Sequence, residues 1–242
     1  MDQTSPVLPV NFCQSCTVRN RAICADLETG EIDLLNKIGR RRKLKAGEQL
    51  LWEGDEAVLV ANVIDGVLKL SSQTMDGKEQ ILGLAYPSDF LGRPFGKTTP
   101  YGVEALTEAN VCVLQRSDFD RFATEHPKLE HELLQRTLTE LDRTRRWMLL
   151  LSRMTAEQRV CTYLIELEER MAPATCALSL ADNAPKTLTL VLSRQQIADV
   201  LGLTIETISR QLTKMKREGV IDLPSRREVV ILDPGALAAK AG

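Results

Sequence analysis

The chain has 242 residues, 43% apolar and 26% charged, with a formal net charge of −2. That length suits two domains, each able to bury its own core, and near-neutrality excludes a uniformly basic coat, leaving any nucleic-acid affinity to a local patch. No apolar run reaches the roughly 18 residues of a membrane span and no secretory signal opens the chain, so a cytoplasmic protein without a membrane partner is expected.

In chain order, residues 1–30 are mixed, with Pro6 and Pro9 and no lasting periodicity. They carry Cys13, Cys16 and Cys24 in the run FCQSCTVRNRAIC. Six cysteines are too sparse for a disulfide scaffold and read as thiols or metal ligands. Cys112, in the strand-like VCVLQR, completes a set of four thiolates, which satisfies an iron–sulfur cluster or a structural zinc equally. From about Lys43 to Arg116, short β-like runs (EQLLW, VANVI, GVLKLSS, EQILGLAY) are punctuated by glycines and by the turns KAGE, EGDE, IDG and MDGK. About eight strands at this spacing predict a closed antiparallel roll.

A helix is predicted from about Ser117 to Ser152. Leu134, Leu138, Leu141 and Met148 recur on it at helical spacing, interrupted by Arg145 and Thr144. A second copy of the helix would cover this stripe as a weak dimer seam, with Arg145 inside it; packing on its own roll is the plainer alternative. His126 and His131, the two histidines of the chain, read as surface residues.

From Met154 a second domain is expected: a helix over 155–171, a polar loop with Pro173 and Pro185, and the strand KTLTLVL. Two short helices follow. Ser193 and Gln196 form a capping box, Gly202 ends the first helix and Thr204 caps the second, which is helix-turn-helix spacing. Ile197, Leu201, Leu203, Ile208, Leu212 and Met215 fall inward; Glu206, Ser209, Arg210 and Thr213 fall outward. Residues 207–217 hold Arg210, Lys214, Lys216 and Arg217 and no acid, although residues 155–242 carry eleven bases and eleven acids. Such charge alone could be a solvated face. With the tight turn and the wing-like IDLPSRREVVIL it points to double-stranded DNA. Arg210 suits guanine, and Glu206 suits cytosine. Thr207 and Ser209 lie on the same recognition helix, and Ser209 can touch a neighbouring base. Lys214, Lys216, Arg217, Arg226 and Arg227 suit phosphates.

A glycine-punctuated roll, a long helix and a winged helix-turn-helix together resemble the cyclic-AMP receptor protein/FNR superfamily of bacterial transcription regulators, over about residues 12–235. The four cysteines and the run ETISR make the chain similar to the oxygen-sensing FNR branch, of the FnrL and FnrP type, where the N-terminal cysteines run C-x2-C-x7-C as here. The resemblance implies an α+β chain: a cluster-binding segment over 1–30, a cyclic-nucleotide-binding-like β-roll over 31–116, a dimerisation helix over 117–153 and a winged helix-turn-helix over 154–242. It implies a [4Fe–4S] cluster on Cys13, Cys16, Cys24 and Cys112, degraded by oxygen, and a homodimer reading a TTGAT-N4-ATCAA-like palindrome through Glu206, Ser209 and Arg210. The turn Thr74–Lys78 corresponds to a surface offered to RNA polymerase, with Lys78 where an acid is common. Cys161 and Cys176 match no ligand. The stretch LGRPFGKTTPYGVEAL holds Arg93 but neither the glutamate nor the Arg-Ser pair of a cyclic-nucleotide site. Two other readings compete: the same regulator with a zinc or another ligand as its signal, and an iron–sulfur enzyme or electron carrier. The second lacks any acid–base set, so no enzymatic activity is expected.

Overall fold

The computed structural model describes residues 11–171 and 186–242; Cys176, Pro173 and Pro185 lie outside them. Residues 12–26 form successive turns leading into α1 (Thr29–Ile38). This helix was not expected. Gly30 in its first turn hides it in the sequence, and the cap is an unusual one, Glu28 in a reciprocal capping box with Glu31. Ile32 and Leu35 supply its buried face.

The expected roll is present. Its strands are β1 (Arg40–Leu44), β2 (Gln49–Leu51), β3 (Leu59–Asp65), β4 (Leu68–Gln73), β5 (Glu79–Ala85), β6 (Phe90–Gly92), β7 (Gly102–Ala105) and β8 (Ala109–Gln115). They form two four-stranded antiparallel sheets in the orders β1-β8-β3-β6 and β2-β7-β4-β5. Alternate side chains from both sheets, among them Leu44, Val63, Leu68, Leu91, Val103 and Val111, close the core between them. At the β3–β4 turn only glycine fits: Gly66 has φ +86°, and a Cβ there would stand 2.4 Å from the Glu108 carbonyl oxygen.

The single helix expected over 117–152 is two helices, α2 (Arg116–Glu125) and α3 (Pro127–Arg153). Pro127 starts α3, where its missing N–H costs nothing. The residue before a proline avoids the helical region, so His126 takes φ −127°, ψ 83° and breaks the run. Phe119, Phe122 and Leu129 of these helices pack with Val18, Ile23, Ile32 and Leu35 into one core beside the cysteine segment.

The C-terminal part comprises α4 (Ala156–Met171), β9 (Lys186–Thr189), α5 (Arg194–Leu201), α6 (Ile205–Arg217), β10 (Ile221–Asp222), β11 (Glu228–Ile231) and α7 (Pro234–Ala241), with its strands in the order β10-β11-β9. The short α7 was not expected; Asp233 caps it and Pro234 opens it. This core (Leu164, Ile197, Ile208, Met215, Ile231) also takes in Val67, Ile81 and Tyr86 of the roll, so the two parts share one apolar body. Arg170 of α4 pairs with Asp89 and lies 5.0 Å over the Tyr86 ring.

Candidate metal centre and nucleic-acid interface

Cys112 sits in the middle of β8, opposite Arg41 on β1 and Asn62 on β3. It lines one pocket with Cys13, Cys16, Gly39 and Arg41, and Cys24 is buried in the core that Cys13, Cys16 and Cys112 pack against. The cysteine segment is tied to α1 and β1 by polar contacts. Cys13 donates its N–H toward Asn11 Oδ1 and Asn36 Oδ1 at 3.2 and 3.3 Å, and Arg41 donates to the Phe12 carbonyl at 2.7 Å. The Arg41 guanidinium also lies 5.3 Å over the Phe12 ring.

The thiols sense one another. Burial, then the charges of Cys13, Cys24 and Cys16, push Cys112 up to about 12. Burial, then Cys16 and Cys13, push Cys24 up to about 11. Cys13 is raised by burial and by Cys16, with Arg41 and Arg19 pulling the other way. Bare thiolates packed this closely would repel, so without a compensating cation these groups stay protonated thiols. Two further features suit a bound group. Arg19 Nε is buried without a hydrogen-bond partner, and a Cβ at Gly39 would stand 3.4 Å from Cys112 Sγ, so the absence of a side chain there gives the sulfur room. Among the described residues, no group of three or more Cys, His, Asp or Glu side chains is arranged to hold a metal ion. Cys161 stands apart, buried in the C-terminal core with its Sγ 3.5 Å from Met215 Sδ.

The helix-turn-helix has the local chemistry its sequence demands. Ser193 Oγ accepts from Gln196 N–H while Gln196 Oε1 accepts from Ser193 N–H. Gly202 adopts the left-handed conformation at φ +60°, ψ 43°, and Thr204 Oγ1 accepts from Thr207 N–H. Ile208, Leu212 and Met215 are buried, leaving Glu206, Arg210 and Thr213 exposed on the far face of α6. Arg210, Arg217 and Arg226 make no ion pair among the described residues. Two cations are engaged differently: Lys214 turns inward to Glu157 at 2.8 Å, and Lys216 reaches Asp222 at 2.8 Å. Sequence reasoning missed Arg194, the first residue of α5, whose guanidinium lies 3.4 Å from Ser209 Oγ. Its place directly after the Ser193 cap was the available signal. It also missed Arg159, which donates to the carbonyls of Leu151, Met154 and Leu201 at 2.9, 3.0 and 2.9 Å. One guanidinium thus fastens the end of α3 to the turn of the helix-turn-helix.

On α3 the stripe is unpartnered within one chain. Leu134, Leu138, Leu141 and Met148 are 54, 46, 42 and 67% exposed, and Arg145 within it pairs with Asp142. A cavity of about 880 Å³ lies between the roll and α3, and three arginines on its wall are already paired: Arg136 with Glu132, Arg143 with Glu140 and Arg170 with Asp89.

A β-roll joined through a long helix to a winged helix-turn-helix defines a two-part transcription regulator. Residues 41–126 match the cyclic nucleotide-binding domain family and residues 158–240 match the Crp-like helix-turn-helix domain family. The chain is 40% identical to the transcriptional activator protein FnrL of Cereibacter sphaeroides, covering 95% of this chain and 92% of that one. It is 36% identical to the nitrogen fixation regulation protein FixK of Bradyrhizobium diazoefficiens, over 96% and 94% of the two chains. The crystal structure of FixK2 from Bradyrhizobium japonicum superposes with a TM-score of 0.75 at 28% identity, over 85% of this chain and 98% of that one. The chain belongs to the CRP/FNR family of transcription regulators.

Proposed function

We propose that this regulator senses oxygen through a [4Fe–4S] cluster held by Cys13, Cys16, Cys24 and Cys112, pairs through α3, and binds a TTGAT-N4-ATCAA-like palindrome when oxygen is low. The observation that carries the reading is the convergence of Cys112, from the middle of the roll, with the three N-terminal cysteines. Four cysteine thiolates are the usual ligand set of such a cluster. When bound, the cluster supplies reactivity toward oxygen. The chain does the rest. Arg19 and Arg41 place positive charge beside the thiols, Asn36 ties the segment to α1, Arg41 ties it to the roll, and Leu129 and Leu133 of α3 pack under it.

Pairing of α3 would bury Leu134, Leu138, Leu141 and Met148 and set two α6 helices about 34 Å apart, one turn of DNA. Arg159 then carries the orientation of α3 to the DNA-reading turn. In the groove Arg210 reads guanine and Glu206 reads cytosine, with Ser209 beside them; Arg217 and Arg226 bind phosphate. Contact with RNA polymerase through Thr74–Lys78 belongs to the same reading; Lys78 there is paired with Asp76 at 2.7 Å.

The test is a gel shift on the palindrome with anaerobically purified protein before and after air, for wild type and Cys112→Ser. Wild type should bind and then lose binding in air, and Cys112→Ser should bind poorly in both. Air-sensitive binding by Cys112→Ser would defeat the ligand assignment.

A further inference from the structure

We propose that Arg136 is a positioning residue: it clasps the seven-residue run between Cys16 and Cys24 to α3, so that a shift at the thiols is felt by the pairing helix. The inference rests on the proposed roles of those cysteines and of α3.

Arg136 lies on α3 between Leu134 and Leu138, two residues of the exposed stripe, but its own side chain points the other way and is 27% exposed. Its guanidinium bonds in three directions. Nε donates to Glu132 Oε1 at 2.7 Å, Nη1 to the Ser88 carbonyl at 3.4 Å and Nη2 to the Arg21 carbonyl at 2.5 Å. Glu132 is one turn back on the same helix and fixes the fork. Ser88 is in the roll, at φ +82°, a conformation rare outside glycine, and its N–H is tied to the Val63 carbonyl. Arg21 lies in the middle of the cysteine run. Three elements are therefore joined at one planar cation, which a lysine's point charge cannot reproduce.

The rest of the contact is apolar and offers no comparable direction. Val18, Ala22, Ile23 and Leu27 of the cysteine segment pack with Leu129 and Leu133. The other polar tie, Lys128 to Glu28 at 2.6 Å, has both side chains more than half exposed and contributes little. The Arg21 carbonyl follows a turn closed by Arg21 and Ala22 N–H groups on the Val18 carbonyl, so it cannot move without moving the run around it. A change in how Cys16 and Cys24 are held would thus pull on Arg136, which stands two residues from both Leu134 and Leu138 on the same helix.

The test uses the full chain and two readouts. First, amide hydrogen exchange is measured on metal-free wild type and Arg136→Leu. Loss of a charged hydrogen bond should speed exchange of residues 18–25 by about tenfold and leave residues 140–150 unchanged. Equal exchange in the two proteins overturns the clasp, whatever the cysteines bind. Second, the dimer dissociation constant is measured for anaerobically reconstituted protein and for the same protein after air. The ratio between the two states should shrink by about tenfold in Arg136→Leu and in Arg136→Lys, with iron and sulfide content equal to wild type. A variant that keeps the full wild-type ratio overturns the proposal. If wild type itself shows no ratio, the oxygen-sensing reading fails and so does the coupling role, while the exchange result still judges the physical tie.

Discussion

Replacing Leu138 by glutamate tests the pairing surface most sharply. Leu138 is 46% exposed in the single chain, so the substitution leaves the monomer core intact, and glutamate is a good helix former. Burying the remaining half of a leucine is worth about 1 kcal/mol, hence about 2 kcal/mol over the two subunits. Two carboxylates meeting near the two-fold axis add at least about 1 kcal/mol of repulsion. A total of about 3 kcal/mol weakens dimerisation by roughly 100-fold. Sedimentation equilibrium of the anaerobic protein measures the constant, and circular dichroism checks that the helix persists. An unchanged dimer constant in a folded variant would refute pairing through this stripe.

Further outcomes follow from particular contacts. Arg210→Ala should lose about 1–3 kcal/mol of discrimination between matched and mismatched duplexes, read by competition binding. Arg217→Ala should lower the salt slope of DNA binding by about 1, whereas Lys214→Ala should leave it nearly unchanged, because Lys214 is committed to Glu157. Arg159→Ala strands three carbonyls and should cost about 3 kcal/mol or more of stability in thermal melts, with no rescue by lysine. Glu166 accepts from Trp147 Nε1 at 3.1 Å, and its carboxyl is pushed above the ordinary 4.5 chiefly by burial, with Arg143 and Arg170 opposing. A raised folded value means the protonated form is favoured on folding. Its contribution is therefore full below pH 4.5 and is lost as pH rises through the folded value. Glu166→Gln should remove that dependence and raise Tm at pH 7; a lower Tm at pH 7 would contradict the burial argument.

Much of this was legible in the sequence because the signals were local. Ser193, Gln196, Gly202 and Thr204 each act within one turn of chain, so the helix-turn-helix could be placed residue by residue, and glycine turns delimited the roll. The break at His126–Pro127 was also local, a proline signal that the single-helix expectation over 117–152 passed over. The helix α1 escaped because a glutamate cap and an early glycine mimic a loop. Contacts between distant segments were not legible at all. The inward turn of Lys214 to Glu157, the grip of Arg159 on the turn and the reach of Arg136 to Arg21 depend on tertiary placement that no spacing encodes. The approach of Cys112 to the N-terminal thiols is likewise tertiary, and the sequence could count those four sulfurs but not bring them together.

What those four thiols hold decides the proposed signal. Iron and acid-labile sulfide should be measured per chain in protein isolated without oxygen, with the visible absorbance followed as air is admitted. A brown protein with about four irons and four sulfides that bleaches in air is predicted. A colourless protein with one zinc per chain, or iron retained in full by Cys112→Ser, would contradict it.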